Sequence, residues 1–126
     1  MIPPASSGSG ASIIPSSEEE LLKKGMAASQ AGRYDDAISH YQKVISANPA
    51  SFTAHNNIGT TQFKQGNIAF AKDSFRQAIK LKGDYPEAHY NLAVALQKEG
   101  QQDEANIEYA AACALGISDA CKMIGK

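Results

Sequence analysis

The side chains best suited to metal binding, acid–base work or thiol chemistry are three histidines and two cysteines, His40, His55, His89, Cys113 and Cys121. His55 and His89 stand 34 residues apart. A metal site needs several nitrogen, sulfur or oxygen ligands converging, often two of them at i, i+4 on one helix, and no carboxylate or thiol keeps companion spacing with either histidine. Both are therefore expected in packing or at a groove edge, and His40, which stands alone, at the surface. Neither a glycine-rich phosphate loop nor a nucleophile motif is present. The expectation is a chain with no catalytic residues, no metal site and no cofactor, and so not an enzyme.

Cys113 and Cys121 lie at nearly equal distances from a Gly116-Ile117-Ser118 turn, so a helical hairpin brings them face to face. In an oxidising compartment they would form a disulfide that ties down the end of the chain; in a reducing one they would be two partly buried thiols. Both readings stay open. Lys72, Arg76 and Lys80 step by four residues, with Lys82 just beyond and Asp73 interrupting. Such a stripe serves either an acidic partner or a solvated outer face.

The elements that position these residues follow from a repeat. Gly32, Gly66 and Gly100 recur at an offset of 34, as do Ala37, Ala71 and Ala105, the aromatics Tyr41, Phe75 and Tyr109, and the small residues Gly25, Gly59 and Ala93. A period of that length is the signature of a helix–turn–helix solenoid. Within each unit the second helix carries an i, i+4, i+7, i+8 stripe: Ala37, Tyr41, Val44, Ile45; Ala71, Phe75, Ala78, Ile79; Ala105, Tyr109, Ala112, Cys113. That spacing is one helical face. The first helices carry Ala54 with Ile58, and Ala88, Leu92, Ala95 and Leu96. Gly59 and Ala71 are expected to face each other at a close helix crossing, with Phe75 filling the space towards the next repeat. Stacked pairs would then share one continuous core.

Punctuation agrees with this division. Ser16 and Ser17, followed by Glu19 and Glu20, read as a helix start near Glu18; Asn48-Pro49 closes the first pair; Asp84 and Glu87 read as a capping box around Pro86; Ser118 reads as the cap of a short last helix. The expected organisation is a flexible Pro/Ser/Gly-rich segment over residues 1–17, repeats over about 18–51, 52–85 and 86–117, and a terminal cap over 118–126. The first segment has no positively charged run ahead of an apolar block, so it does not read as a signal peptide. A native linker, or a start that replaces an upstream targeting segment, are both open, with a cytoplasmic location as the default and an extracytoplasmic one admitted.

Composition sets outer bounds. The 126 residues are 43% hydrophobic and 20% charged, with a formal net charge of −1 and a pI near 6.3. Nucleic-acid and anionic-membrane binders usually show a strong basic excess, which is missing here. No window approaches the roughly 18 consecutive apolar residues of a spanning helix, so a soluble chain without nucleic-acid partners is expected.

The runs Ala54-His55-Asn56-Asn57-Ile58-Gly59, Lys64-Gln65-Gly66-Asn67, Phe75-Arg76-Gln77-Ala78-Ile79 and Ala88-His89-Tyr90-Asn91-Leu92-Ala93, with Asn48-Pro49, resemble the tetratricopeptide repeat family over about Glu18 to Ile117. The resemblance implies an all-α, right-handed superhelical solenoid whose first helices line a concave groove used to hold peptides or helices of partner proteins. Leu21, His55 and His89 stand where that family favours larger aromatics, and Gly83 stands where a closing proline is common. Chaperone-binding members clamp a terminal carboxylate with two lysines, an arginine and asparagines. Of these positions only Asn57 matches, the others being Leu22, Met26, Glu87 and Asn91, so the clamp is not expected here.

On the first helices, the face away from the core stripe carries Leu22 and Met26, then Asn56, Asn57 and Thr60, then Tyr90, Asn91 and Val94. Spacings of three or four keep each set on one side of its helix. Asn57 and Asn91, one repeat apart, could each donate to and accept from a peptide main chain. The expected function is thus a non-enzymatic scaffold or adaptor with a protein or peptide partner. The rivals are an oligomerisation module working through its terminal or convex faces, and Leu22, Tyr90 and Val94 serving only as edges of the core.

Overall fold

The computed structural model describes residues 10–124, with side chains from residue 17 onward. Among these residues there are seven helices and no strand: α1 (Gly10–Gln30), α2 (Tyr34–Ala47), α3 (Phe52–Lys64), α4 (Ile68–Leu81), α5 (Pro86–Lys98), α6 (Gln102–Ala114) and α7 (Ser118–Met123). They form a helical solenoid of three antiparallel pairs, each helix packing on its chain neighbours. α1 also meets α3, and α3 meets α5, which makes these first helices the inner layer. No described helix is long and apolar enough to cross a membrane.

The turn inside each pair has one physical solution, used three times. Gly32, Gly66 and Gly100 adopt φ of 82°, 85° and 80°, a left-handed conformation in which a Cβ would crowd the following carbonyl. The glycine N–H and the next residue's N–H then return to the helix just ended, as in Gly66 N to Phe63 O at 3.0 Å and Asn67 N to Gln62 O at 2.9 Å. These two bonds satisfy carbonyls that the helix end would leave orphaned. Gly116 (φ 109°) makes the same closure between α6 and α7.

Each pair is then locked by an aromatic. Tyr41, Phe75 and Tyr109 are each 1% exposed, and burial pushes the Tyr41 hydroxyl up to about 12. The small residues of the first helices face these rings. A Cβ placed on Gly59 would sit 2.5 Å from Phe75 Cε1, and one on Gly25 would strike Tyr41. This corrects the expected Gly59–Ala71 crossing: the glycine makes room for the aromatic of its own repeat, because a flat ring lying across the partner helix needs the space a Cβ would take.

The buried apolar side chains group in two, which meet where Gly59 of α3 packs against the Phe75 ring. One apolar cluster holds Ala28, Ala37, Tyr41, Val44, Ala54 and Ile58; the other runs from Ala71 and Phe75 through Leu92, Leu96 and Tyr109 to Ala120. Polar contacts between α1 and α3 include Thr61 Oγ1 to the buried Ser29 Oγ at 3.3 Å. The repeats are also stapled by charge. Lys72 of α4, whose side chain is only 13% exposed, pairs with Glu99 at 2.5 Å and donates to Gln101 at 2.8 Å, while Arg76 reaches Glu104 at 3.9 Å. Two members of the basic stripe thus bind the next repeat.

Three helix starts differ from expectation. α1 begins at Gly10, so residues 10–17 are helical and Ser16 and Ser17 lie inside the helix. Pro15 lacks one N–H and so withdraws one backbone bond without ending the helix. The remainder of the segment expected to be flexible, Met1–Ser9, lies outside the described residues, as do Gly125 and Lys126. α5 starts with Pro86 at its first position, as expected, but Tyr85 is the cap and makes no side-chain capping bond. Asp84 instead pairs with Lys82 at 3.1 Å, whose ammonium holds the carboxyl below its usual range. Ser118 is the first residue of α7, with Ile117 as cap. Ser51 does cap α3, accepting from Ala54 N at 3.3 Å.

Candidate functional site

The inner helices α3 and α5 run alongside each other as equivalent members of successive repeats, and a cleft of about 350 Å³ opens between them. Its lining is Thr60, Phe63 and Lys64 from α3, Tyr90, Asn91 and Val94 from α5, and the ring of Phe75 from α4 behind. The wall is mostly hydrocarbon. Polar lining residues are few, Thr60, Asn91 and Lys64, the last with its ammonium turned towards Ser29 of α1.

Hydrogen bonds decide what those polar groups can still do. Thr60 Oγ1 donates to Asn57 O at 2.9 Å, so its proton is spent on its own helix. Asn91 Nδ2 donates to Asn56 Oδ1 at 3.1 Å, and Asn56 Nδ2 donates to the Tyr85 hydroxyl at 3.4 Å. This relay pins the Asn91 amide, leaving its Oδ1 and one N–H for a visitor. The Tyr85 hydroxyl is pushed up by burial and next by the Glu87 carboxylate. Lys64 Nζ approaches Ser29 Oγ at 3.5 Å, and no carboxylate among the described residues lies within ion-pair distance of it.

Of the eight residues expected in the groove, Thr60, Tyr90, Asn91 and Val94 come together in this cleft. Asn56 is 6% exposed and serves as the bridge between α3 and α5. That is a correction, since its side chain points towards the neighbouring helix, where the inner helices touch. Leu22 packs against the first apolar cluster. Met26 is 48% exposed and stands apart from the cleft. Asn57 is half-buried and is not among the residues lining this cleft. Tyr90 and Val94 are both core edge and cleft wall. Phe63 and Lys64 were missed although they follow Thr60 at i+3 and i+4 on the same face, the signal that selected the others. Phe75 was assigned wholly to the core, and nothing in its pattern marks the ring edge that reaches the cleft.

His40, expected at the surface, is half-buried with its Nδ1 left without a partner among the described residues, whereas His89 and the two cysteines are engaged structurally. His89 lies between Glu108 Oε1 and Gly83 O, 2.7 Å from each, tying α5 to α6 and to the preceding loop. His55 is half-buried, and desolvation lowers its affinity for a proton against an opposing contact with the Pro49 carbonyl. No group of three or more His, Cys, Asp or Glu among the described residues is arranged to hold a metal ion. Cys113 and Cys121 are joined across the Gly116 turn, with Cα atoms 4.7 Å apart.

Comparison with known proteins agrees with the architecture. The chain belongs to the TPR repeat family, whose profile matches residues 27–66 and 63–100. It is similar to the cytochrome c-type biogenesis protein CycH of Bradyrhizobium diazoefficiens, 33% identical over 92 residues that cover 71% of this chain and 25% of that protein. The chain spans a quarter or less of the first curated relatives it matches. Among solved structures, MamA superposes with a TM-score of 0.77 and 27% identity, over 86% of this chain and 64% of that one. The first TPR of Spaghetti (RPAP3), bound to an HSP90 peptide, superposes with a TM-score of 0.79 and 24% identity over 85% and 86% of the two chains, a likeness of fold.

Proposed function

We propose that this chain is a non-enzymatic interaction module that holds an extended peptide of a partner protein against its inner helices, as scaffold or adaptor. The observation that carries this reading is the cleft between α3 and α5, with apolar walls and a pinned amide at its rim. Such a combination buries a side chain while offering main-chain hydrogen bonds, as peptide grooves require. A similarly folded domain is known bound to an HSP90 peptide, which supports a peptide-holding role for this fold.

The test is affinity capture with the intact chain beside Thr60→Arg. Thr60 lines the cleft and contributes only a bond to its own helix, so an arginine there occludes the site without unmaking the core. Loss of the captured proteins with helicity intact is expected; an unchanged capture profile sinks the reading. Asn91→Ala is a poorer probe, because it strips the buried Asn56 of a partner. A second reading, self-association through the outer helices, draws on Phe70 and Ile107, exposed by 63% and 66%. A concentration-dependent mass abolished by Phe70→Ser with Ile107→Ser would favour it.

A further inference from the structure

We infer that the cleft selects a large apolar side chain flanked by a side-chain carboxylate, within an internal extended segment of the partner. This rests on the peptide-binding reading and gives it a specificity. The apolar half follows from Phe63, Phe75, Tyr90 and Val94, which leave about 350 Å³ for an entering group, room for one aromatic or leucine-sized residue with part of its backbone. The acidic half follows from Lys64, the single cation in the lining.

Three features make Lys64 more than a solvated lysine. It is an exposed residue that lines the cleft, it has no carboxylate within ion-pair distance among the described residues, and its ammonium makes a long bond to the neutral Ser29 hydroxyl of α1, which a partner's carboxylate could displace. Other cations of the inter-repeat seam are satisfied internally, Lys72 by Glu99 and Arg76 by Glu104. The inner helices are also polarised: α5 has Glu87 in its first turn and Lys98 in its last, and α3 has Lys64 in its last. A partner's carboxylate is therefore drawn to the Lys64 ammonium itself and repelled by Glu87 where α5 begins, the negative ends of the helix dipoles opposing any wider attraction to the end where α3 and α5 finish.

One ammonium suits a single side-chain carboxylate that stays partly hydrated at the rim. A chain terminus needs donors to both oxygens, and here the Thr60 proton and one Asn91 N–H are already committed. The Asn91 Oδ1 is left to accept a main-chain N–H from the same segment.

The probe is a fluorescent peptide of glycine and serine, blocked at both ends, with Asp-Phe-Asp at its centre, measured by anisotropy against the full chain. Expected is saturable binding, weaker by about five- to tenfold for Asn-Phe-Asn, as for loss of one charge-assisted contact at a partly exposed site, and weaker still for Asp-Ala-Asp. Lys64→Gln should erase the Asp over Asn preference and keep the Phe over Ala preference, with unchanged helicity. Equal affinity for the Asp and Asn peptides, a preference that survives Lys64→Gln, or binding of no peptide overturns the inference. So does tighter binding of an Asn-Phe peptide that ends in a free carboxylate. If Thr60→Arg abolishes partner capture while the Asp and Asn peptides behave alike, the peptide-binding reading stands and this specificity falls. If Thr60→Arg leaves capture intact, both fall.

Discussion

Gly59→Ala replaces one hydrogen by a methyl group, and the structure says where that group goes. The new Cβ would lie 2.5, 2.6 and 3.0 Å from Cε1, Cδ1 and Cζ of Phe75, against an ordinary carbon–carbon separation of about 3.5–4.0 Å. The ring is 1% exposed and belongs to the cluster with Leu92, Leu96 and Tyr109, so it has to push neighbours by roughly an ångström. Overpacking of this kind costs about 1–3 kcal/mol. Alanine recovers about 1 kcal/mol of helix propensity relative to glycine, which leaves a net loss of about 0–2 kcal/mol. Since about 1 kcal/mol, the middle of that range, shifts the midpoint of a domain this size by roughly 4–8 °C, a fall of about 4–8 °C is expected in a thermal melt followed by circular dichroism. Phe75→Leu removes the ring atoms that clash, so in that background adding Gly59→Ala should cost less than it does alone, a coupling measured by the double-mutant cycle. A midpoint equal to or above the parent's, with additive double-mutant behaviour, refutes the ring-against-glycine packing. The third repeat shows the alternative already realised: Ala93 and Tyr109 are both buried there, so a methyl group is tolerable where the ring has been seated around it.

The pH dependence of stability has a defined sign at His55. Burial lowers its folded-state pKa, so as pH falls through about 6.5 the unfolded chain takes up the proton first and stability is lost below that point, while above it the contribution is fully present; calorimetry should show a smaller drop in midpoint between pH 7.5 and 5.5 for His55→Gln than for the parent. The Cys113–Cys121 link, spanning a sequence separation of 8, should contribute about 2–3 kcal/mol by loop closure; a reductant should lower the midpoint of the parent and leave Cys113→Ser with Cys121→Ser unmoved, and equal reductant sensitivity of the two excludes it. An acidic chaperone-tail peptide should show no affinity that depends on its terminal carboxyl, because Leu22, Met26 and Glu87 stand at the positions that would clamp it; micromolar binding abolished by amidation of that terminus contradicts this.

The parts of the fold that were readable in the sequence are those where one residue type alone satisfies a local demand. A positive φ at Gly32, Gly66 and Gly100 requires glycine whatever the neighbours are, and a ring buried to 1% at Tyr41, Phe75 and Tyr109 leaves a periodic trace for the same reason. The parts that were not readable depend on which of several equivalent partners a polar group chooses. Asp84 can cap a helix or pair with Lys82, and it pairs with Lys82. Asn56 and Asn57 are adjacent and chemically identical, yet Asn56 bridges α3 and α5 while Asn57 does not. The difference is about 100° of helix rotation between consecutive residues, which sequence spacing cannot orient until the next helix is in place. The same rotation explains the cleft. Thr60, Phe63 and Lys64 lie within one turn of α3, so a groove face defined only as the side away from the core stripe stops short of the residues that give the site its shape and its charge. A lysine at that place costs little as a solvated end-of-helix residue and complements the helix dipole, so its presence alone says nothing of binding. What distinguishes Lys64 is the apolar wall beside it and the distance of every described carboxylate, and both are properties of the packed repeats rather than of any window of the chain.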